Sequence, residues 1–327
     1  MMIGESPAVA PEPAAPTTEE ERRLADLQNS LKFLTGNKDE YNYYPPVWQE
    51  RIKVLLEHSR INEYDLRVAF YIKQLLDNDL FNELSEDEKE NLVKAGFLHD
   101  LGKSGPADAS AEQMGAITRL FAIDNLIVKD YEPKRVGEAT LKILHDQRQI
   151  TDEDYKALLL LPHFNEQTTM REFWNAHSRW SNEVIWFDPN NAPLVSRPIA
   201  VHHLLDSVDP REFASDKDKI SMPTAGQEWD LAQNECLLML VDKYEAFRTR
   251  GGKDHSAAID YLNGRLKALT NADGQITMTN GQSVKLSNSA LENLRQTLSL
   301  LENEEPAFPF PVSDKSINKQ EVKAAQV

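Results

Sequence analysis

The sequence has almost no cysteine, no long apolar run and too few basic residues to balance its acidic ones. The single cysteine, Cys236, excludes an internal disulfide and a cysteine-based zinc site, and its apolar surroundings predict a core position. A run of about eighteen apolar residues, which a membrane span needs, is missing. With 53 acidic and 36 basic side chains, the net charge of −17 argues against a nucleic-acid polymer as a partner. A few local cations could still hold a small phosphate.

The two ends of the 327-residue chain differ in composition from its middle. Residues 1–18 are rich in Pro, Ala and Glu, and they lack the basic start and apolar core of a secretory signal. We therefore expect a disordered lead and a cytoplasmic protein. Residues 306–327 are expected to form a disordered tail. The folded domain is then residues 19–305.

Helical periodicity dominates this middle region. Ser85 and Glu88 have the spacing of a capping box, and Thr151 and Asp154 are related in the same way at the start of another amphipathic segment. Asn62 is a candidate cap for a third helix. These signals predict an all-α fold.

One segment, residues 274–287, breaks the helical pattern. It alternates polar and apolar side chains and carries Asn280-Gly281 at its centre, which is typical of a β-hairpin. We expect a small hairpin between two helices, packed on the helices or on a partner because a lone hairpin is marginally stable. The segment 226–250 is predicted to be one long helix.

The stretch "FLHDLGKSG", residues 97–105, contains the strongest chemical signal. Adjacent side chains cannot share one face of a helix, but His99 and Asp100 can converge on one ion if the helix ends there. Lys103 lies one turn further and can hold a phosphate. The same dipeptide recurs at His145-Asp146, where we interpret it as surface.

Further candidates follow along the chain. His177 lies in an amphipathic segment, and His202-His203 is an adjacent pair. Asp242 directly follows the apolar run "CLLMLV". A carboxylate beside such a run is costly to bury unless a cation compensates it, and a metal ion would do so.

The order of these residues resembles the HD superfamily of metal-dependent phosphohydrolases, most of all its HD-GYP-like branch, over residues 60–265. The resemblance implies an HD-type helical bundle that binds two divalent ions, of iron, manganese or zinc. It implies that His99, Asp100 and Asp242 bind one ion. Asp100 would bridge to a second ion held by His177 and His202, with His203 beside it and Lys103 on the phosphate. The metal ligands that the resemblance implies are therefore His99, Asp100, His177, His202, His203 and Asp242, and the implied catalytic residues are Asp100 and Lys103.

The sequence departs from the family pattern at two places. Tyr64 stands where the family has its first histidine, and His58, six residues earlier, could take that metal-ligand place only if the chain bends between them. After the double histidine, Leu204 replaces a glutamate and the Gly-Tyr-Pro motif is missing. The missing motif counts against cyclic di-GMP as the substrate. The expected substrate is a nucleotide or another small phosphate ester.

The long interval between Asp100 and His177 implies an insertion at about residues 106–165. His163, near its end, is the second choice of ligand if the register across the insertion is wrong. Arg179 and Arg248 are secondary candidates for phosphate contacts, although both are more typical of surface arginines.

Two other functions use the same residues. One is a di-iron oxygenase of the same superfamily, resembling inositol oxygenase. The other is a catalytically degenerate HD domain that acts as a scaffold or sensor, which the replacement at Tyr64 would favour. Both alternative functions are compatible with binding to a protein partner or to a second copy of the chain.

Overall fold

The computed structural model describes most of the predicted domain. It describes residues 18–34, 36, 40–58, 61–123, 133–188, 192–210, 223, 227–251 and 253–308. The predicted disordered lead lies outside these ranges except for its last residue, and the predicted tail lies outside them beyond residue 308.

Within these ranges the chain is helical apart from one small sheet, so the prediction of an all-α fold with a β-hairpin is confirmed. The helices are α1 Glu19–Leu34, α2 Glu40–Tyr43, α3 Pro46–His58, α4 Ile61–Leu75, α5 Glu86–Leu98, α6 Ala111–Ala122, α7 Leu141–Asp146, α8 Asp152–Leu159, α9 Met170–Ile185, α10 Ala192–Val201, α11 Gln233–Gly251, α12 His255–Asn271 and α13 Asn288–Asn303. Across the described ranges, no helix has both the length and the apolar character needed to cross a membrane.

Two of the three predicted helix starts are correct. The Ser85 hydroxyl accepts from the Glu88 backbone N–H, and the Glu88 side chain accepts from Ser85, so the capping box is complete. The Thr151 hydroxyl accepts from the backbone N–H of Asp154. The prediction for Asn62 is wrong, because α4 already begins at Ile61.

The hairpin consists of strands β2, Gln275–Thr277, and β3, Ser283–Leu286, which pair antiparallel. Gly281 has a φ of 81°, a left-handed conformation that favours glycine in the turn. A third strand, β1, Glu228–Trp229, pairs parallel to β3. The predicted long helix from residue 226 is therefore wrong at its start: Trp229 is buried in the sheet, and α11 begins only at Gln233.

The buried apolar residues form two clusters. The larger one joins α1, α3, α4, α5 and α10–α13 to the sheet. The smaller one lies mostly within the predicted insertion and includes Ile117, Leu144 and Leu158. Helix α9 belongs to both, because Phe173 is in the smaller cluster and Val184 is in the larger one. His177 lies on α9 between these two anchored ends.

The turn after α5 is held from two sides. On one side, the buried guanidinium of Arg51 donates to the carbonyl oxygens of Ser104, Gly105, Pro106 and Ala107 at 2.7–3.1 Å. Gly105 has a φ of 102°, which an L side chain rarely adopts. The turn is thereby fixed immediately after the predicted catalytic lysine.

On the other side, Gly102 packs directly against α9. Its backbone N–H donates to the Ser181 hydroxyl at 2.8 Å, and that hydroxyl donates to the His99 carbonyl oxygen at 2.7 Å. A Cβ at Gly102 would lie 2.1 Å from the His177 carbonyl oxygen and 2.2 Å from the Ser181 nitrogen. The glycine of the "HDLGK" stretch therefore permits the close approach that brings His177 to Asp100.

We predict that Gly102→Ala destabilises the protein by about 1–3 kcal/mol, because the added methyl overlaps backbone atoms that cannot rotate away. Urea unfolding measures this loss. Gly264→Ala in α12 is the matched control, since among the described residues no atom beyond the adjacent residues and the backbone of its own helix lies within 4 Å of its Cβ position. That variant should gain up to about 1 kcal/mol of helix propensity. Equal stability of the two variants would contradict the close packing.

Candidate metal centre

The two dipeptides His99-Asp100 and His202-His203 lie in equivalent places, at the ends of α5 and α10. The second residue of each pair leaves the helix in nearly the same conformation, with φ/ψ of −100°/10° at Asp100 and −98°/10° at His203. A short 3₁₀ turn follows each pair, Leu101–Ser104 and Leu204–Asp206. Ending the helix between adjacent residues lets both side chains of a pair converge on one centre.

Three histidines are oriented by the same backbone contact. The Nδ1–H of His99 donates to the Gly96 carbonyl oxygen at 2.7 Å, and that of His202 donates to the Ile199 carbonyl oxygen at 2.5 Å. The corresponding contact of His177 is to the carbonyl oxygen of the residue three positions earlier in α9. Each ring therefore turns an Nε2 lone pair towards the centre, which is the arrangement of a metal-ligating histidine.

One set of ligand atoms, which we name the imidazole-rich group, consists of Asp100, His177, His202 and His203, with its atoms within 4.8 Å of one another. His177 Nε2 lies 3.0 Å from Asp100 Oδ1 and 2.9 Å from His203 Nε2. Two ligand atoms that are 2.0–2.1 Å from an ion lie about 2.9 Å apart at neighbouring corners of an octahedron. These spacings fit one metal ion.

A second set, the carboxylate-rich group, consists of Asp65, His99 and Asp100. It shares Asp100 with the imidazole-rich group, so this carboxylate can bridge two ions. Asp242 lies next to this group, with its Oδ1 3.4 Å from His99 Nε2. Tyr64 donates to that Oδ1 at 2.5 Å, and Lys243 donates to Oδ2 at 2.7 Å.

Several polar atoms that face the centre are buried without a hydrogen-bond partner. Among the described residues, these atoms include Nε2 of His99, Nε2 of His202 and Oδ1 of Asp65. Burying such atoms unpaired is costly, and a cation bound in each of the two groups would satisfy them.

The environment keeps three of the histidines neutral. Burial lowers the pKa of His177 and lowers the pKa of His202 well below its usual range, where His203 adds to the effect. Burial and the neighbouring Lys243 lower the pKa of His203 to about 4. Neutral rings have the lone pairs that a metal requires.

The surroundings of His99 instead favour positive charge. Burial alone would lower its pKa, but the carboxylates of Asp100 and Asp242 raise the pKa to about 9. Burial likewise opposes the charge on Asp100, yet Lys103 and His99 hold its pKa well below the usual range. A cation near His99 Nε2 is therefore electrostatically favourable, whether it is a proton or a metal ion.

Two lysines border the centre. Lys103 contacts Asp100 Oδ2, and its ammonium lies 5.6 Å from the centre of the Tyr64 ring. Lys243 is 2.5 Å from Asp206 Oδ2 and 2.8 Å from His203 Nδ1. The carboxyl groups at the centre nevertheless outnumber these two ammonium groups. The carboxyl groups are those of Asp65, Asp100, Asp206 and Asp242.

The structure thus brings together the predicted catalytic lysine and all of the predicted ligands except one. The residues that converge are His99, Asp100, Lys103, His177, His202, His203 and Asp242. His58 is the last residue of α3, and its side chain lies outside the described part of the chain. Whether the converging residues bind metal stays a prediction.

The alternative residues lie elsewhere and have other contacts. His145 pairs with Asp152 at 2.8 Å, and His163 is exposed. Arg179 pairs with Glu183 in its own helix. Asp146 forms an ion pair with Lys142, and Arg248 forms one with Glu305.

Sequence reasoning missed three residues at the centre, namely Asp65, Asp206 and Lys243. Asp65 looked like an ordinary acidic residue in the first turn of a helix. The other two flank predicted ligands in the sequence, three residues after His203 and one after Asp242. That proximity was the available signal for them.

Comparisons of the chain with protein-family models, with curated protein sequences and with solved structures found no match.

We predict that Mn²⁺ or Zn²⁺ raises the melting temperature of the metal-stripped protein. An ion that binds only the folded state at 100 times its Kd adds about 2.7 kcal/mol. His202→Gln should lose most of this metal-induced shift, because it removes an inward-facing ligand atom. His145→Gln, at the second His-Asp dipeptide, should keep the full shift. Differential scanning calorimetry compares each variant with its own metal-free form, and equal shifts in both variants would contradict a metal site at His202.

Proposed function

We propose that the chain is a metal-dependent phosphohydrolase that acts on a nucleotide or another small phosphate ester. The observation that carries this proposal is the set of inward-facing histidine Nε2 atoms around the buried carboxylate of Asp100, with a lysine beside it. The resemblance of "HDLGK" and the later ligands to the HD superfamily supports the same function.

The donor set suits two divalent ions that share Asp100. Mixed imidazole and carboxylate ligands suit iron, manganese or zinc. His177, His202 and His203 would hold one ion, and His99 and Asp242 would hold the other. When bound, such ions would acidify a water molecule near neutral pH and polarise a phosphoryl oxygen.

The remaining polar residues have roles that follow from their charge. Lys103 is fixed near Asp100 by a turn that Arg51 and Ser181 hold in place. Its ammonium would bind a phosphoryl oxygen and stabilise the negative charge that develops during hydrolysis. Lys243 keeps the Asp242 carboxylate oriented through its contact with Oδ2.

The side chains around Lys243 are more exposed than those around His99. The side chains of Lys243, His203 and Asp206 are 11%, 17% and 33% exposed, whereas that of His99 is fully buried. The substrate would enter along this more exposed edge. Two lysines at a buried centre in an otherwise acidic protein fit a small phosphate better than a nucleic-acid polymer.

We predict that Asp100→Ala abolishes hydrolysis of p-nitrophenyl phosphate and bis-p-nitrophenyl phosphate by the Mn²⁺-loaded protein and reduces its metal content. Lys103→Ala should retain the metal but lower kcat by about 10²-fold, because it removes one charge-stabilising donor. Elemental analysis and steady-state kinetics measure both effects.

Asp146→Ala is the charge-matched control, since Asp146 is an exposed partner of Lys142. It should leave metal content and hydrolysis unchanged. If Asp100→Ala behaves like this control, the hydrolase proposal fails and a scaffold role takes its place. Oxygen uptake by the iron-loaded protein without phosphate release would favour the oxygenase instead.

A further inference from the structure

The carboxylate-rich group contains a residue that neither the sequence pattern nor the resemblance assigns to the metal. We propose that Asp65 is the missing ligand of the second ion, and that it serves in place of the family's first histidine. This inference rests on the proposed function, because it concerns the same two-ion centre.

The position and burial of Asp65 support this role. Its side chain comes from α4, is 1% exposed, and offers an oxygen within 4.8 Å of ligand atoms of His99 and Asp100. Among the described residues, its Oδ1 is one of the few buried side-chain atoms without a hydrogen-bond partner. A buried carboxyl group that lies close to two ligand residues and has one unpaired oxygen is a donor suited to a metal ion.

Tyr64 has a different task. Its hydroxyl contacts both the Oδ1 and the backbone carbonyl oxygen of Asp242, at 2.5 Å and 2.6 Å. A phenol has one proton, which these two acceptors share. Tyr64 therefore orients Asp242, while the next residue along α4 supplies the inward-facing carboxylate. The metal ligand is then the residue after the family's histidine position, Asp65 in place of residue 64. A bend in the chain that would bring His58 to the metal is not required.

The charged groups around Asp65 favour a metal ion beside its carboxyl group, in addition to the two lysines. Its carboxyl group is 1% exposed and lies beside the carboxylate of Asp100. The two neighbouring ammonium groups contact other acids, Lys103 on Asp100 and Lys243 on Asp206 and Asp242. A metal ion between Asp65, His99 and Asp100 would neutralise a buried group that the lysines do not contact.

The two groups then differ in ligand chemistry. The imidazole-rich group offers three ring nitrogens and one carboxylate, whereas the carboxylate-rich group offers two carboxylates and one ring nitrogen. Oxygen-rich ligand sets suit manganese or magnesium, and imidazole-rich sets suit zinc or iron. The ion that depends on Asp65 is therefore the one for which manganese is the better probe.

The test is the number of Mn²⁺ ions bound per chain, measured by elemental analysis after loading with Mn²⁺ alone and gel filtration. The wild-type protein should bind two ions and Asp65→Asn one, because the amide is a neutral and poorer ligand of nearly the same shape. Tyr64→Phe should still bind two, since it keeps Asp65. Asp206→Asn, which removes an acid that contacts only His203 and Lys243 in the centre, should also bind two.

Two further measurements guard against a misfolded variant. Circular dichroism compares Asp65→Asn and Asp65→Ser with the wild type, and both should fold because each replaces the buried carboxyl group with a neutral side chain that is no larger. On the wild type itself, electron paramagnetic resonance should show two exchange-coupled Mn²⁺ ions, as a shared Asp100 carboxylate requires. Uncoupled or single ions in that spectrum would overturn the inference without any variant.

The outcomes separate this inference from the proposed function. Two ions in Asp65→Asn would overturn the role of Asp65 and leave the hydrolase proposal standing. If the wild type binds only one ion, and His202→Gln loses it, the role of Asp65 is likewise overturned and the hydrolase proposal still stands. A wild-type protein that binds no ion would overturn both. Loss of an ion in Tyr64→Phe but not in Asp65→Asn would assign the ligand place to Tyr64 instead.

Discussion

The centre depends on the burial of one carboxylate, that of Asp100, which is 2% exposed. A buried charge must be compensated, and here the Lys103 ammonium and the His99 ring supply that compensation. The remaining features of the centre follow from this requirement. Helix α5 must end at His99, and α9 must contact the turn that follows. The turn must also be rigid, so that Lys103 stays paired with Asp100.

Each of these conditions is met by an identifiable residue outside the centre. Gly102 lacks the Cβ that would push α9 away, Ser181 links the turn to the His99 carbonyl oxygen, and Arg51 binds four carbonyl oxygens beyond the lysine. Helix α9 is itself anchored in both hydrophobic clusters. The scaffold therefore holds the candidate ligand atoms close to one another, which would reduce the ordering cost of binding an ion.

Local signals in the sequence predicted much of this architecture, because a capping box, a helix-ending His-Asp and an Asn-Gly turn are decided within a few residues. Non-local contacts were not predictable in this way. Strand β1 has two residues and exists only because Trp229 meets β3, so its segment was predicted to be helical. Asp65 has the same sequence context as an exposed acidic residue, and only the packing of α4 reveals its burial. Similarly, Phe308 lies in the predicted tail but packs edge-to-face on Phe70 at 5.3 Å.

The most direct test of the central claim is an anomalous diffraction map of crystals grown with Mn²⁺. We expect a peak about 2.0–2.3 Å from Nε2 of both His177 and His202, with Asp100 as a further ligand. The Nδ1 atoms of these rings should keep their backbone contacts in that structure. A map with no peak among these residues, and with Lys103 still paired to Asp100, would contradict the claim that this buried cluster is a metal centre.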